Sequence, residues 1–329
     1  RDLSYQIWSN ELGCFDVPYH GEKPYIYLAG DSFTWGFAPF EDKWGTKLEK
    51  ALGVRTLKCG VSGSGTKQEL IKAERTLAKV TQTPKLIVLG YFGGNDTEDD
   101  YSFPNKLVYN GYLIKKLEDR TLDYDSAQKT LPQIAEWSEK YCMITRPANP
   151  TLQRVKCFLT EHSVAYHLMK NGMKRIVSGD ILRGVGVVNE PVPGVSIQEG
   201  DYQQHLNNVL VFSKFAKTKG SDFLVVLVPL DGNVTSFDEV PDPYAKLKVF
   251  LTAHHIAYLD PLQDFRSAAK ASSFALYWQH DPHWNVRGNH LFGLLVSKAV
   301  LERSPWVQDR DEKLSATKRA LLEEFFIGK

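Results

Sequence analysis

The segment Tyr25–Gly36, YIYLAGDSFTWG, predicts a buried strand, a sharp turn and the start of a helix. Its first five residues are mostly aromatic or aliphatic, and Gly30 allows the backbone to turn tightly after them. Asp31 and Ser32 both carry oxygens that can accept from free backbone N–H groups at a helix start. Alone, this pattern indicates only a strand, a turn and a cap, so its meaning depends on the rest of the chain.

Two later segments repeat the order of an apolar strand followed by a polar, Gly-rich loop. Val54–Lys58 precedes Cys-Gly-Val-Ser-Gly-Ser-Gly-Thr, and Lys85–Tyr91 precedes Phe-Gly-Gly-Asn-Asp. Helical patterns separate these strands, beginning with a predicted helix over Glu41–Leu52. Strands that alternate with helices indicate a parallel sheet, in which these three loops lie at the same edge. Ligands of open α/β sheets bind at that edge.

The alternation of strands and helices breaks in the middle of the chain and then returns. Residues 101–204 contain several prolines between helical segments, which predicts a helical insertion or cap within a single domain of residues 1–329. Asp222–Pro229 and Ile256–Asp260 are the predicted fourth and fifth strands. The expected fold class is therefore α/β: a three-layer α/β/α sandwich around a five-stranded parallel sheet, of the flavodoxin-like kind.

Composition and charge exclude several classes of function. The chain has 329 residues, a hydrophobic fraction of 43% and a net charge of +1, from 40 basic and 39 acidic residues. This balance gives no electrostatic basis for binding nucleic acid. No apolar run reaches the ~18–20 residues needed to span a bilayer. Because the chain begins at Arg1, we expect a processed or trimmed N-terminus, and a bacterial, extracytoplasmic location is slightly favoured over a cytoplasmic one.

The four cysteines form no CxxC pair, which argues against a thiolate zinc site. Cys14 precedes the first strand and Cys59 ends the second, and these strands should be neighbours, so we predict a disulfide between them. A second disulfide is predicted between Cys142 and Cys157, which flank a Pro-rich turn. Four buried free thiols are the alternative.

Four loops of the predicted fold carry the groups that a serine esterase needs. Ser32 follows the first strand and Asn95 the third, while Asp281 and His283 lie in the last loop before the final helix. A serine hydroxyl needs a histidine to take its proton, the histidine needs a carboxylate, and the oxyanion needs N–H donors. Ser32 would thus be the nucleophile, His283 the base and Asp281 its orienting partner. The oxyanion hole would comprise the N–H groups of Ser32 and Gly63 and the amide of Asn95.

Other assignments stay open at some of these positions. Gly60 competes with Gly63 for the oxyanion role, and Asn95 alone could equally be a turn-forming residue. His280 and His290 are rivals for the base, although the former lacks the Asp-x-His relation and the latter lies on the closing helix.

Four further residues are candidates for substrate binding near the strand ends: Asp31, Trp35, Trp278 and Trp284. The three Trp side chains could line a sugar-binding cleft. The structural alternative is a helix cap for Asp31 and plain core packing for the tryptophans, because aromatic side chains near strand ends are often buried.

In these loops the chain resembles the SGNH, or GDSL, hydrolase family. The resemblance rests on four blocks in order, which are Gly30-Asp31-Ser32, Gly60-Val61-Ser62-Gly63, Gly93-Gly94-Asn95-Asp96 and Asp281-Pro282-His283. Each block alone is weak, but together they are specific, and they cover about 1–100 and 205–303 rather than the insertion. The resemblance implies an SGNH hydrolase-like fold, the triad and oxyanion hole named above, and no metal or organic cofactor.

Two positions depart from the family pattern. Lys58 stands where the family often has Asn, and Pro282 alone separates Asp281 from His283 where two residues commonly intervene. The tighter spacing is similar to the family's polysaccharide O-acetyltransferase branch and to uncharacterised bacterial hydrolases.

The predicted function is a serine-dependent carboxylic-ester hydrolase that forms an acyl-enzyme. Its expected partner is a small-molecule or carbohydrate ester with a short acyl group such as acetyl. The alternatives are a polysaccharide O-acyltransferase that uses the same triad and a non-catalytic carbohydrate-binding module on the same scaffold. A metal-dependent phosphatase is disfavoured because the polar clusters lack a convincing ligand set.

Overall fold

The structure is a computed structural model that describes residues 5–101, 106–109, 112–115, 149–162, 199–235, 242–271, 274–279 and 281–326. The chain divides into two compact units, Arg1–Lys115 with Pro191–Lys329, and Lys116–Glu190. The described part of the second unit holds one helix, Pro150–His162. Most of the predicted insertion lies outside the described residues, so its extent over 101–204 stays a prediction.

The strands form one parallel sheet and two hairpins. They are β1 (Tyr25–Gly30), β2 (Arg55–Lys58), β3 (Leu86–Tyr91), β4 (Lys106–Tyr109), β5 (Tyr112–Lys115), β6 (Asp222–Leu227), β7 (Ala257–Leu259), β8 (Tyr277–Trp278) and β9 (Asp281–Trp284). Among the described residues the sheet has five strands in the order β2-β1-β3-β6-β7, and every pairing in it is parallel. The predicted five-stranded parallel sheet is therefore confirmed.

Helices follow most of the strands. They are α1 (Ser32–Trp35), α2 (Trp44–Leu52), α3 (Thr66–Leu77), α4 (Asp96–Tyr101), α5 (Pro150–His162), α6 (Glu199–Thr218), α7 (Asp231–Thr235), α8 (Ala245–Ala253), α9 (Leu262–Ala271), α10 (Val286–Arg303) and α11 (Arg310–Leu321). A short 3₁₀ turn, Phe40–Asp42, precedes α2, and a π-helical turn, Leu322–Phe326, follows α11.

Two hydrophobic cores lie on opposite faces of the sheet, because side chains alternate across each strand. Ile26 and Leu28 of β1 belong to the core that also contains residues of α2, α9 and α10. Tyr27 of β1 and Ile87 of β3 belong to the other core, with residues of α3, α6 and α8. Both β1 and β3 are consequently buried along their whole length. The predicted three-layer arrangement is confirmed.

The hairpin β4–β5 lies at the start of the segment for which the sequence predicted helices. Its strands pair antiparallel from Lys106 with Lys115 to Tyr109 with Tyr112. The two residues between the strands in the sequence are Asn110 and Gly111, which is a strong short-range hairpin signal when apolar residues flank it. The sequence therefore contains a local signal for this hairpin, within a segment whose prolines favoured an interpretation as loops and helices.

The N-terminal loop is fastened to β2 by a disulfide and a buried ion pair. Cys14 and Cys59 are bonded, with their Cα atoms 4.5 Å apart, which confirms that predicted bridge. Two residues further on, the buried carboxylate of Asp16 accepts from the backbone N of Lys58 at 2.9 Å and lies 3.1 Å from its Nζ. Arg55 approaches the same carboxylate at 3.1 Å. Lys58, which departs from the family pattern, is thus an ion-pair partner of the loop.

The second predicted disulfide, between Cys142 and Cys157, cannot be placed in the same way. Cys142 and the side chain of Cys157 lie outside the described residues. That pairing stays a prediction.

We expect the double variant Cys14→Ser/Cys59→Ser to unfold more easily, because the bridge joins residues separated by 45 positions. Its free energy of unfolding should fall by about 2–5 kcal/mol. Urea unfolding, with and without reductant, measures this. Reductant should destabilise the wild type toward the variant's value; a peptide map showing Cys14 as a free thiol in the native protein would contradict the assignment.

Candidate active site

Helix α1 lies directly on the carboxyl ends of the central strands. A Cβ at Gly30, where φ is +145°, would stand 2.1 Å from Thr34 Oγ1, and a Cβ at Gly90 would stand 2.3 Å from the same atom. On the other side, a Cβ at Gly60 would stand 2.2 Å from the backbone N of Trp35. Gly30 ends β1, Gly60 follows β2 and Gly90 lies near the end of β3. Because none of the three has a side chain, the helix can approach the strand ends this closely.

Asp31 caps this helix, as the sequence predicted for a helix-start residue. Its Oδ1 accepts from the backbone N of Phe33 at 3.0 Å, and its Oδ2 lies 3.1 Å from Ser32 Oγ. Asp31 is fully buried and Ser32 is 7% exposed. The cap thus holds the Ser32 hydroxyl at the boundary between the core and the strand-end loops.

The β8–β9 hairpin brings a histidine to Ser32 from a position 251 residues later in the chain. His283 Nε2 lies 2.8 Å from Ser32 Oγ, and His283 Nδ1 lies 2.5 Å from Asp281 Oδ1. The same carboxylate oxygen accepts from the backbone N of His283 at 2.8 Å. Asp281 and His283 reach each other because alternate residues of a strand point the same way. His283 thus contacts Asp281 through one ring nitrogen and Ser32 through the other.

Two phenylalanine rings flank the His283 imidazole. Phe37 stacks on it with ring centroids 4.2 Å apart, and Phe33 lies at 4.7 Å. Trp278 Nε1 donates to the backbone carbonyl of Phe37 at 3.2 Å, which holds that ring's loop in place. Burial lowers the pKa of His283 below its ordinary value of 6.5, and the hydrogen bond and charge of Asp281 oppose this shift.

The loop after β3 contacts the same region. Phe92 packs on Phe33 with centroids 4.5 Å apart, and Gly93 donates its backbone N–H to Tyr244 Oη at 3.2 Å. Asn95 Nδ2 donates to Asp99 Oδ2 at 2.8 Å. An amide nitrogen carries two hydrogens, so one N–H of Asn95 can still donate to a ligand.

The two oxyanion candidates in the loop after β2 differ in surroundings. Gly60 is buried and packed against the backbone of α1, whereas Gly63 is half-buried and has φ of +73°. The exposure of Gly63 favours it over Gly60 as a donor to a ligand.

Some of the aromatic and histidine candidates lie near His283, and others are part of the core or pair elsewhere. Trp35 and Trp278 are half-buried beside Phe37, but Trp284 is only 1% exposed and packs on Phe292 in the core, as the structural alternative held. His290 pairs with Glu324 at 2.9 Å rather than with Ser32. His280 lies outside the described residues.

Sequence reasoning missed two groups that shape the site. Phe33 contacts both His283 and the β3 loop, and its position directly after Ser32 was the available signal. Tyr244 accepts from Gly93 and donates to the carbonyl of Val228 at 2.5 Å. Nothing in the sequence around Tyr244 pointed to the loop after β3.

Among the residues that the structure describes, no group of three or more His, Cys, Asp or Glu side chains is arranged to hold a metal ion. No helix among them is both long and apolar enough to cross a membrane.

Comparisons with known proteins give structural likeness but no sequence match. No protein-family model matches the chain, and no curated protein matches it. Similar solved structures include a member of the lipolytic protein G-D-S-L family from Veillonella parvula DSM 2008, with 14% identity, TM-score 0.42 and coverage of 86% of this chain and 98% of that one.

Two others carry names that include an ester-cleaving activity. The psychrotrophic esterase EstA from Pseudoalteromonas sp. has 10% identity, TM-score 0.41 and coverage of 85% and 98%. Axe2, an acetylxylan esterase from Geobacillus stearothermophilus, has 11% identity, TM-score 0.43 and coverage of 88% and 98%. These are structural resemblances, and the activities in their names belong to those proteins.

Proposed function

We propose that the protein is a serine-dependent carboxylic-ester hydrolase that works through an acyl-enzyme. The observation that carries this proposal is the hydrogen-bonded chain from Ser32 Oγ through His283 to Asp281, at 2.8 and 2.5 Å. These distances are within reach for proton transfer from a hydroxyl to a histidine that a carboxylate orients. The nucleophile, base and carboxylate come from two distant segments, so their meeting is not a consequence of sequence proximity.

The proton movements follow from this geometry. Ser32 Oγ attacks the ester carbonyl carbon while its proton passes to His283 Nε2, and Asp281 stabilises the imidazolium that forms. His283 then gives the proton to the leaving alcohol as the ester bond breaks, which leaves the acyl group on Ser32. Water attacks that acyl group with His283 again as base, releasing the acid and restoring the Ser32 hydroxyl.

The oxyanion that forms in each step needs preorganised donors. The backbone N–H groups of Ser32 and Gly63 and the free N–H of Asn95 are the proposed set. Support comes from the contacts that join α1 to the loops after β2 and β3, namely Gly60 against Trp35 and Phe33 against Phe92.

The proposed substrate is a carbohydrate that carries a short acyl group as an ester. The ring centroids of Phe33 and Phe37 lie 4.7 and 4.2 Å from that of His283, which leaves little room for a long acyl chain beside the base. Trp35 and Trp278 are half-buried near Phe37 and offer apolar faces on which a sugar ring can pack. An ester series of increasing acyl length should therefore give the highest kcat/KM for acetyl.

Water is the proposed acceptor of the acyl group. The side chains of His283 and Asp281 are 17% and 46% exposed, so solvent reaches the base. With an acetyl donor and an oligosaccharide present together, we expect free acetate as the main product. Acetylated oligosaccharide as the main product would assign the same site to acyl transfer.

We expect Ser32→Ala to lower kcat for ester cleavage by a factor of about 10³ or more, because no acyl-enzyme can form. An organophosphonate should label Ser32 in the wild type, which peptide mass spectrometry measures. The control is Ser315→Ala, which removes a serine from the exposed face of α11. Undiminished turnover in Ser32→Ala, or labelling of another residue, would refute the mechanism.

We expect turnover to fall as the pH drops through the pKa of His283, because the protonated ring cannot accept the Ser32 proton. Since burial lowers that pKa, the fall should be centred below pH 6.5. Asp281→Asn should lower kcat by about 10²–10⁴ with little change in KM. Steady-state kinetics across the pH range measure both effects.

The matched control for Asp281→Asn is Glu324→Gln, because Glu324 forms the other described carboxylate–histidine pair of the C-terminal region, with His290. It should leave kcat unchanged. Equal losses in the two variants would show that Asp281 acts through general stability and not through His283.

A further inference from the structure

The Ser32 hydroxyl has two partners but only one hydrogen. His283 Nε2 lies 2.8 Å from Ser32 Oγ, and Asp31 Oδ2 lies 3.1 Å from it. For catalysis the hydroxyl must donate to His283, because that is the proton the base removes. The contact with Asp31 then has no hydrogen from Ser32, so the hydrogen on it must come from the Asp31 carboxyl.

The positions of the hydrogens on His283 lead to the same conclusion, that the Ser32 hydrogen belongs to the contact with Nε2. His283 Nδ1 faces the carboxylate of Asp281 at 2.5 Å and must carry a hydrogen to bond it. In the neutral ring Nε2 is then bare and can only accept. If Asp31 were ionised, it would compete with Nε2 for the single Ser32 hydrogen.

From this geometry we infer that Asp31 acts as a neutral carboxylic acid that donates to Ser32 Oγ and directs the Ser32 hydrogen toward His283. Asp31 is thus a positioning residue for the nucleophile as well as a helix cap. The inference rests on the proposed function and adds to it a second protonation requirement.

The surroundings of Asp31 support the neutral form. Complete burial, and to a smaller extent the charge of Asp99, raises its pKa to about 7, against the hydrogen bonds from Phe33 and Ser32. The carboxyl groups of Glu69 and Asp96 face it as well, and burial together with mutual repulsion raises the pKa of each of them. The buried phenol of Tyr244 also lies within its field.

Two neighbouring carboxyl groups each have one oxygen that receives no hydrogen bond from the part of the chain that the structure describes. Glu69 Oε2 and Asp96 Oδ1 are buried and have no hydrogen-bond partner among the described residues. Several negative charges buried close together would be costly, so protons bound here lower the free energy of the pocket.

The donor role matters most in the acyl-enzyme. Once Ser32 Oγ is part of an ester it bears no hydrogen, so a protonated Asp31 can still donate to it, whereas neutral His283, whose Nε2 is bare, cannot. An ionised Asp31 would place a carboxylate oxygen 3.1 Å from an ester oxygen, which is a repulsive contact between acceptors. Asp31 keeps its proton throughout the cycle, while the transferred proton moves between Ser32, His283, the leaving alcohol and water.

The consequence is a loss of activity on the alkaline side as Asp31 ionises. Because the protons of Asp31 and His283 are linked through Ser32, the two apparent pKa values belong to the pair. Both the turnover of a chromogenic acetyl ester and the rate of phosphonate labelling of Ser32 should rise through the first apparent pKa. Both should then fall by about tenfold or more by about pH 9.

Asp31→Asn is the decisive variant. Its side-chain oxygen can still accept from Phe33, and its amide can donate to Ser32 Oγ at every pH. We expect its pH profile to lose the alkaline fall, whatever its absolute turnover near neutral pH. A purely structural cap would give wild-type and variant profiles of the same shape, and that result would overturn the inference.

Glu69→Gln is the matched control, since it changes a buried carboxyl of the same pocket that does not touch Ser32. It should keep the alkaline fall; if the fall disappears in Glu69→Gln and persists in Asp31→Asn, Asp31 is not the group responsible.

The wild type alone decides the matter if the Asn variant does not fold. Phosphonate labelling of Ser32 with a reversible alkaline fall supports the inference, and labelling that stays constant to about pH 10 overturns it while leaving the esterase proposal intact. Failure to label Ser32 at any pH refutes the esterase proposal itself.

Discussion

The close approach of α1 to the ends of β1 and β3 is the constraint on which the site depends. Thr34 packs where any side chain at Gly30 or Gly90 would collide with it, at 2.1 and 2.3 Å. Gly30 and Gly90 are also register partners in the sheet, so the helix rests on two adjacent strand ends at once. Ser32, at the start of this helix, is thereby held at the edge where the polar loops meet.

The same approach explains why His283 can reach Ser32 from a different part of the chain. Phe33 is placed by α1 and packs on His283, Phe92 and Trp284, so one ring joins the first, third and last loops. The β8–β9 hairpin then needs only a short antiparallel pairing, Tyr277 with Trp284, to present the Asp281–His283 pair. Packing of aromatic rings therefore orients the base together with its hydrogen bond to Asp281.

Buried charge is compensated differently at the N-terminal loop and around Asp31. At the N-terminal loop the carboxylate of Asp16 is surrounded by Lys58 and Arg55, and opposite charges compensate its burial. Around Asp31 the neighbours are other carboxyl groups, so burial raises pKa values instead. The first arrangement fastens a loop, and the second is suited to a group that acts while protonated.

The residues alone were sufficient to predict the sheet, its strand–loop order, the Cys14–Cys59 bridge and the identity of the polar groups at the strand ends. Apolar runs of strand length and glycines at their ends are local signals, because burial on both faces and tight turns each demand particular residue types. Only the tertiary structure could show that Phe33 and Phe37 flank His283, that Trp284 is core, and that Lys58 pairs with Asp16. These are contacts between distant segments, and their existence depends on how whole helices and strands pack. The proposed order of hydrogen bonds, from Asp31 to Ser32 and from Ser32 to His283, is of the same kind, since it follows from two distances that no sequence pattern specifies.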